Sequence, residues 1–158
     1  MQDDEECKKR KRAPFESEAD EARIDRWGRL RKMDTAAQLQ RIMGKAAEFR
    51  GVQKEAIDAI VAGKSHVVAV MPTGAGKSML FMLPAWAEQG STTVVVVPLI
   101  ALRRDMMRRC RKLGISCAEW DSCCLLDAAA VVLVTPESAV GEEFATFLNR
   151  LRATQQLD

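Results

Sequence analysis

Tyrosine is absent from the 158 residues, histidine occurs once, at His66, and aromatics make up only 5% of the chain. No apolar run reaches the ~20 residues that a membrane-spanning helix needs. The amino terminus, MQDDEECKKRKR, is too charged for a secretory leader. A reducing compartment is therefore the expectation. The five cysteines, Cys7, Cys110, Cys117, Cys123 and Cys124, are an odd number. Without an export signal, that count points to free thiols. No CxxC pair occurs and only one histidine is present, so a zinc site is not expected. His66 is expected on the surface. The net charge of +2 is too small to imply a partner by itself. No internal repeat is visible.

What is present has the balance of a soluble globular protein, 47% hydrophobic and 29% charged. The length suits one domain with a real core. Residues 1–32 differ from the rest. Acidic and basic blocks alternate there, and disorder is expected ahead of a short helix near 17–32, where Ile24, Trp27 and Leu30 share a helical face. Residues 8–12, KKRKR, have the composition of a nuclear-import signal or a nucleic-acid patch, and equally that of a solvated charge run.

From residue 33 the pattern is regular. TAAQLQRIMGKAAEF reads as a helix capped near Asp34, with Leu39, Ile42 and Met43 on one face. QKEAIDAIVAG reads as a helix from Gln53 closed by Gly63. HVVAVM and TTVVVVP read as buried strands, rich in β-branched residues. Between them, SMLFMLPAWAE is a helix that Pro84 should kink or end. LIALRRDMMRRCRKLG is a basic helix closed by Gly114, and ISCAEW is a candidate short strand. AAVVLVTP is a further strand, and ESAVGEEFATFLNRLRAT a final helix. Strands that are apolar throughout and alternate with helices predict a parallel sheet covered on both faces, an α/β doubly wound fold.

The segment MPTGAGKS, after an apolar strand and before a helix, has the context of a phosphate-binding loop. Gly74 and Gly76 permit backbone conformations that a Cβ would obstruct. Successive N–H groups can then form an anion nest, backed by the helix N-terminus. In such a loop Lys77 reaches the β- and γ-phosphates and the Ser78 hydroxyl ligates Mg²⁺. The general pattern GxxxxGK[ST] wants glycine where this chain has Met71.

Four ordered blocks carry a resemblance: FRGVQKEAI, MPTGAGKS with the following Leu83-Pro84-Ala85, VVVVPLIALRRDM and VLVTPESA. From about Phe49 to Ala139 the chain resembles the RecQ family of DNA helicases, within superfamily 2. EWDSC adds a fungal RecQ-like flavour. Met71 departs from the generic loop but conforms to this family. The resemblance implies a RecA-like P-loop NTPase sheet, incomplete at its carboxyl end, spanning 33–158. It implies ATP and Mg²⁺ as cofactors, with Arg50, Gln53, Pro72, Thr73, Gly74, Ala75, Gly76, Lys77 and Ser78 at the nucleotide and Lys77 as the catalytic residue. In that reading the Gln53 amide reads adenine and Arg50 stacks on the base. Family members often carry an aromatic residue where this chain has Ala46, and Phe49 itself is expected in the core. Pro98, Leu99 and Ala101, followed by Asp105, match motif Ia, and Thr135 and Pro136 match motif Ib. The resemblance places both motifs against the DNA backbone, at a single strand or duplex junction.

The family's next element is a strand ending in Asp-Glu-x-His, and no such sequence occurs. The resemblance thus implies the N-terminal part of a nuclear, ATP-dependent 3′–5′ DNA helicase that is inactive alone. A non-enzymatic nucleotide- or DNA-binding module is the alternative. A small nucleotide kinase would need a lid and substrate-binding arginines after the P-loop, and none is recognisable.

Overall fold

The computed structural model describes residues 14–121 and 129–157. The basic run at 8–12 and three cysteines, Cys7, Cys123 and Cys124, lie outside these residues. The elements in chain order are α1 (Pro14–Lys32), α2 (Thr35–Met43), α3 (Gln53–Val61), α4 (Met79–Ala87), β1 (Thr93–Val96), α5 (Ile100–Lys112), β2 (Cys117–Glu119), β3 (Val131–Val134), α6 (Pro136–Ala139) and α7 (Glu142–Ala153).

Strand order is β1-β3-β2, and both pairings are parallel. All four residues of β3 are buried, as expected for a central strand covered on both faces. Alternation along it divides the core. Val131 and Leu133 pack with Met82 and Ala85 of α4 and Cys110 of α5. Val132 and Val134 face the other way, onto Phe144, Phe147 and Leu151 of α7. The predicted α/β architecture with helices on both faces is therefore present.

Local chemistry sets most element ends. The Asp34 carboxylate accepts from the Ala36 and Ala37 N–H groups, both at 3.0 Å, and caps α2. Thr35 Oγ1 donates to Asp58 of α3 at 2.7 Å, tying the two helices together. Gly63 and Gly114, both in the left-handed region, end the turns after α3 and α5. Pro84 is accommodated within α4 without ending it. A third cluster joins Leu30 of α1 to Ile57 and Val61 of α3 and Leu83 of α4, with Trp27 and Phe49 packed against it.

Several expectations need correction. The helix expected near 17–32 extends back to Pro14, and Ile24 is 68% exposed rather than on the packed face with Trp27 and Leu30. The helix after Asp34 stops at Met43 because Gly44 leaves helical geometry, and Met43 is exposed. The final helix is two, α6 and α7, divided at Val140 and Gly141. β1 is only half-buried and Val96 is exposed, because β1 has a strand neighbour along its full length on one side only. On its other side Gln156 accepts from the Thr92 N–H at 2.6 Å and Leu157 forms one parallel bridge with Thr92.

The largest correction concerns residues 66–71. HVVAVM forms no strand, and Val68 and Val70 are 90% and 88% exposed. A strand needs a neighbour for its N–H and C=O groups, and among the described residues no strand pairs with this segment. It borders an open depression of about 400 Å³ shared with Val52, Ala56 and Ala59. An exposed extended β-branched run is a template for intermolecular pairing. Replacing Val68 and Val70 together by Thr is expected to raise the monomeric fraction of this 158-residue chain in sedimentation while leaving its melting temperature unchanged. A clear loss of melting temperature would mean that these valines pack in solution.

Candidate nucleotide-binding loop and sheet-end loops

The turn between the unpaired segment and α4 is built on two glycines. Gly74 has φ +81° and Gly76 has φ +76°, a region in which a side chain is strained. Pro72, Thr73 and Gly74 are exposed, while Ala75, Gly76 and Ser78 are half-buried. Met71, where the general pattern has glycine, is buried and anchors the start of the turn.

Two donors converge on one oxygen. The Pro72 carbonyl accepts from Lys77 Nζ at 3.0 Å and from the Ala75 N–H at 3.3 Å. Ser78 occupies the N-cap position of α4, and its side chain makes no capping hydrogen bond. The hydroxyl is thus not committed to the helix end. A cationic side chain, a backbone N–H and an uncommitted hydroxyl at a helix N-terminus are the donor set that a phosphate chain with a divalent cation requires. The residues present fit ATP with Mg²⁺.

Gln53, the first residue of α3, is 5% exposed and locks the loop from behind. Its Nε2 donates to the carbonyls of Ala75 at 2.8 Å and Gly76 at 3.1 Å. Its Oε1 accepts from the Arg50 N–H at 2.7 Å. Both amide hydrogens and the oxygen therefore have partners within the protein. Gln53 can donate to a purine nitrogen only by giving up a carbonyl of the loop. A Cβ added to Gly76 would stand 2.6 Å from Gln53 Nε2, so the approach of this amide is one reason the position is glycine. The Arg50 side chain and Ala46 are exposed, and Phe49 packs into the core as expected. The residue motif FRxxQ indicated Gln53, but no local signal could show that its contact is the loop backbone.

The second group of residues lies at the carboxyl ends of two adjacent strands. Val96 pairs with Val134, and the Val97 N–H donates to the Val134 carbonyl at 2.8 Å. This register brings the segment that begins at Pro98 and the one that begins at Thr135 out at the same end of the sheet. Carboxyl ends of parallel strands are the usual ligand face of such sheets. Pro98, Leu99, Ala101 and Pro136 are exposed. Leu99 is the N-cap of this 13-residue helix, and its side chain makes no capping hydrogen bond to the first turn of α5. Thr135 does cap α6, accepting from the Ser138 N–H at 3.2 Å. No hydrogen bond or ion pair among the described residues links this group to the glycine loop.

The basic residues of α5 divide by environment. Arg103, its side chain 13% exposed, turns to Glu119 of β2 at 3.7 Å. Arg108 and Arg109 both engage Asp105, Arg109 at 2.7 Å, and Arg108 holds the Asp105 carboxyl below its usual range. Arg104, Arg111 and Lys112 are exposed. Sequence spacing could not assign Arg103 to the β2 side, because β2 itself was only a candidate strand.

A glycine turn with Lys-Ser at the head of a helix that packs on a parallel sheet resembles the arrangement of P-loop nucleotide-binding proteins, although no strand of the sheet leads into this turn. The DEAD/DEAH box helicase family matches residues 50–149. The chain belongs to that family. It is 44% identical over 72 residues to "ATP-dependent DNA helicase Q1" of Pongo abelii, covering 46% of this chain and 11% of the relative. It is 36% identical over 106 residues to "ATP-dependent DNA helicase Q-like 2" of Arabidopsis thaliana, covering 66% and 15%. It is 38% identical over 71 residues to "ATP-dependent DNA helicase RecQ" of Bacillus subtilis (strain 168), covering 45% and 12%. The RecQ resemblance is therefore borne out. The chain spans 11% to 15% of the length of these three relatives. Among the described residues no helix is long and apolar enough to cross a membrane.

Proposed function

We propose that residues 33–158 supply the ATP-binding part of the first RecA-like lobe of a RecQ-type, ATP-dependent 3′–5′ DNA helicase acting in the nucleus, with 1–32 as a charged leading segment. The observation that carries the nucleotide reading is the convergence of Lys77 and the Ala75 N–H on the Pro72 carbonyl. That carbonyl stands in for a phosphate oxygen, and both donors transfer to the β- and γ-phosphates when ATP enters. Ser78 holds Mg²⁺, and Pro72, Thr73, Gly74 and Gly76 wrap the phosphates. Bound ATP with Mg²⁺ supplies a phosphoanhydride whose cleavage drives movement. This chain's residues bind and orient it. Lys77 offsets charge on the terminal phosphate. Gln53 and Arg50 face the base, and Gln53 exchanges one loop carbonyl for adenine when it does so.

DNA phosphates are held by the uncapped first turn of α5, at Pro98, Leu99 and Ala101, and by Thr135 and Pro136. Backbone-directed contacts of this kind are weak and steeply salt-dependent. The 158 residues contain no Asp-Glu-x-His to position water and metal, so hydrolysis is not expected of this chain alone.

Titration with fluorescent ATP and GTP analogues, with and without Mg²⁺, tests the reading. The expected result is weak, Mg²⁺-dependent binding that favours adenine. No binding of either analogue overturns the nucleotide reading. Equal affinity for both bases removes the base-reading role of Gln53 and leaves it as the residue that fastens the loop.

A further inference from the structure

Charge is segregated along the chain. Helix α5 holds six of the 24 lysines and arginines and one of the 22 acidic residues. It therefore carries +5, and the other 145 residues carry −3, within a net charge of +2. One face of α5 belongs to the core, where Met106, Met107 and Cys110 pack. On the face turned away from it, Arg104, Arg108, Arg111 and Lys112 fall within about 100° of arc and along about 12 Å of the axis. All four are exposed. Arg108 shares the Asp105 carboxylate with Arg109. No hydrogen bond or ion pair among the described residues engages Arg104, Arg111 or Lys112.

Helix stability accounts for only part of this stripe. Arg111 and Lys112 lie in the last turn, where cations complement the negative end of the helix dipole. Arg104, near the opposite end, gains nothing from it. Like charges three and four positions apart repel, as Arg104 with Arg108 and Arg108 with Arg111 and Lys112 do here. An external anion would relieve that repulsion. The line of charge suits a polymer of phosphates, since about 12 Å faces about three phosphates of one strand. Arginine's planar fork also matches phosphate oxygens. A lipid surface fits less well. The exposed apolar residues Leu99, Ile100 and Leu102 are confined to the start of the helix, and the rest of its apolar face is in the core.

We propose that Arg104, Arg108, Arg111 and Lys112 form a nucleic-acid track, which leads away from the sheet-end loops and holds one strand by its phosphates. The track deepens the DNA reading above and rests on it for the choice of polyanion. Its contacts are side-chain cations along the helix rather than the main chain of the first turn.

The test measures binding of a fluorescent thymidine oligonucleotide by anisotropy at a series of salt concentrations. It compares the full wild-type chain, a stripe variant (Arg104→Gln, Arg111→Gln and Lys112→Gln) and a control variant (Lys32→Gln, Lys45→Gln and Lys64→Gln). Both variants lose three exposed positive charges. At ~0.7 per phosphate contact of a single strand, the stripe variant should lower the slope of log K against log salt by about 2. The control should leave the slope near that of the wild type. No binding by the wild type at low salt removes the DNA reading and the track together. Binding by the wild type that the stripe variant retains with an unchanged slope removes the track alone, and so does an equal loss in the control. Co-sedimentation with phosphatidylserine vesicles that the stripe variant loses, with oligonucleotide binding unchanged, assigns the face to lipid and overturns the track. Should the triple stripe variant not fold, Arg104→Gln alone decides, by a fall in slope of ~0.7 or by none.

Discussion

Replacing Lys77 by Ala is expected to weaken ATP binding roughly tenfold or more, with little change in melting temperature. A charge-assisted hydrogen bond contributes roughly 1.5–3 kcal/mol, which corresponds to about 10- to 150-fold in affinity. The lower end of that range is the better expectation here, because Lys77 is not free before binding. Its ammonium already donates to the Pro72 carbonyl at 3.0 Å, and that contact is lost when phosphate arrives. The exchange still favours binding, since a neutral carbonyl is replaced by an anionic oxygen. Lys77 is exposed and makes no core contact, so its removal leaves folding nearly intact. Parallel titration and melting of K77A and the wild type check both halves. Unchanged affinity would show that the loop does not hold phosphate. A large drop in melting temperature would show that Lys77 fastens the turn.

The family, the fold class and most helices are legible in the sequence. The reason is that their signals are local: Asp34 before α2, Gly63 and Gly114 after α3 and α5, and unbroken apolar runs for β1 and β3. The strand expected at 66–71 shows where local signals stop. HVVAVM and TTVVVV are both rich in valine, yet only the second finds a neighbour, and pairing is a property of the sheet rather than of the segment. Val140-Gly141 divided a helix whose apolar spacing continued across the break, because the short turn α6 is set by the Thr135 cap rather than by periodicity. At the candidate site the residue types were visible and the contacts were not. Lys77 and Ser78 follow from the motif. The engagement of Gln53 with two loop carbonyls joins residues more than twenty positions apart, and no spacing rule encodes it.

That engagement leads to the largest expected effect on stability. Gly74 and Gly76 look equivalent in the sequence, and both have positive φ. Their surroundings differ. Nothing lies within 4 Å of a Cβ added at Gly74, whereas one added at Gly76 meets Gln53 Nε2 at 2.6 Å. Gly74→Ala therefore carries only backbone strain, about 1–2 kcal/mol. Gly76→Ala carries the same strain and also displaces the buried amide. The displaced amide loses its bonds to Ala75 and Gly76, and the Arg50 N–H loses its acceptor. At roughly 0.5–1.5 kcal/mol for each of the three net hydrogen bonds, added to the strain, the second substitution should cost about 2.5–6.5 kcal/mol. Urea melts of the two single variants measure the difference. A double-mutant cycle then locates its cause. In a Gln53→Ala background no amide remains to be displaced, so adding Gly76→Ala should cost only the strain seen at Gly74. Equal losses for the two glycines in the wild-type background, or a cost at Gly76 that does not shrink when Gln53 is removed, would show that the amide does not hold the loop.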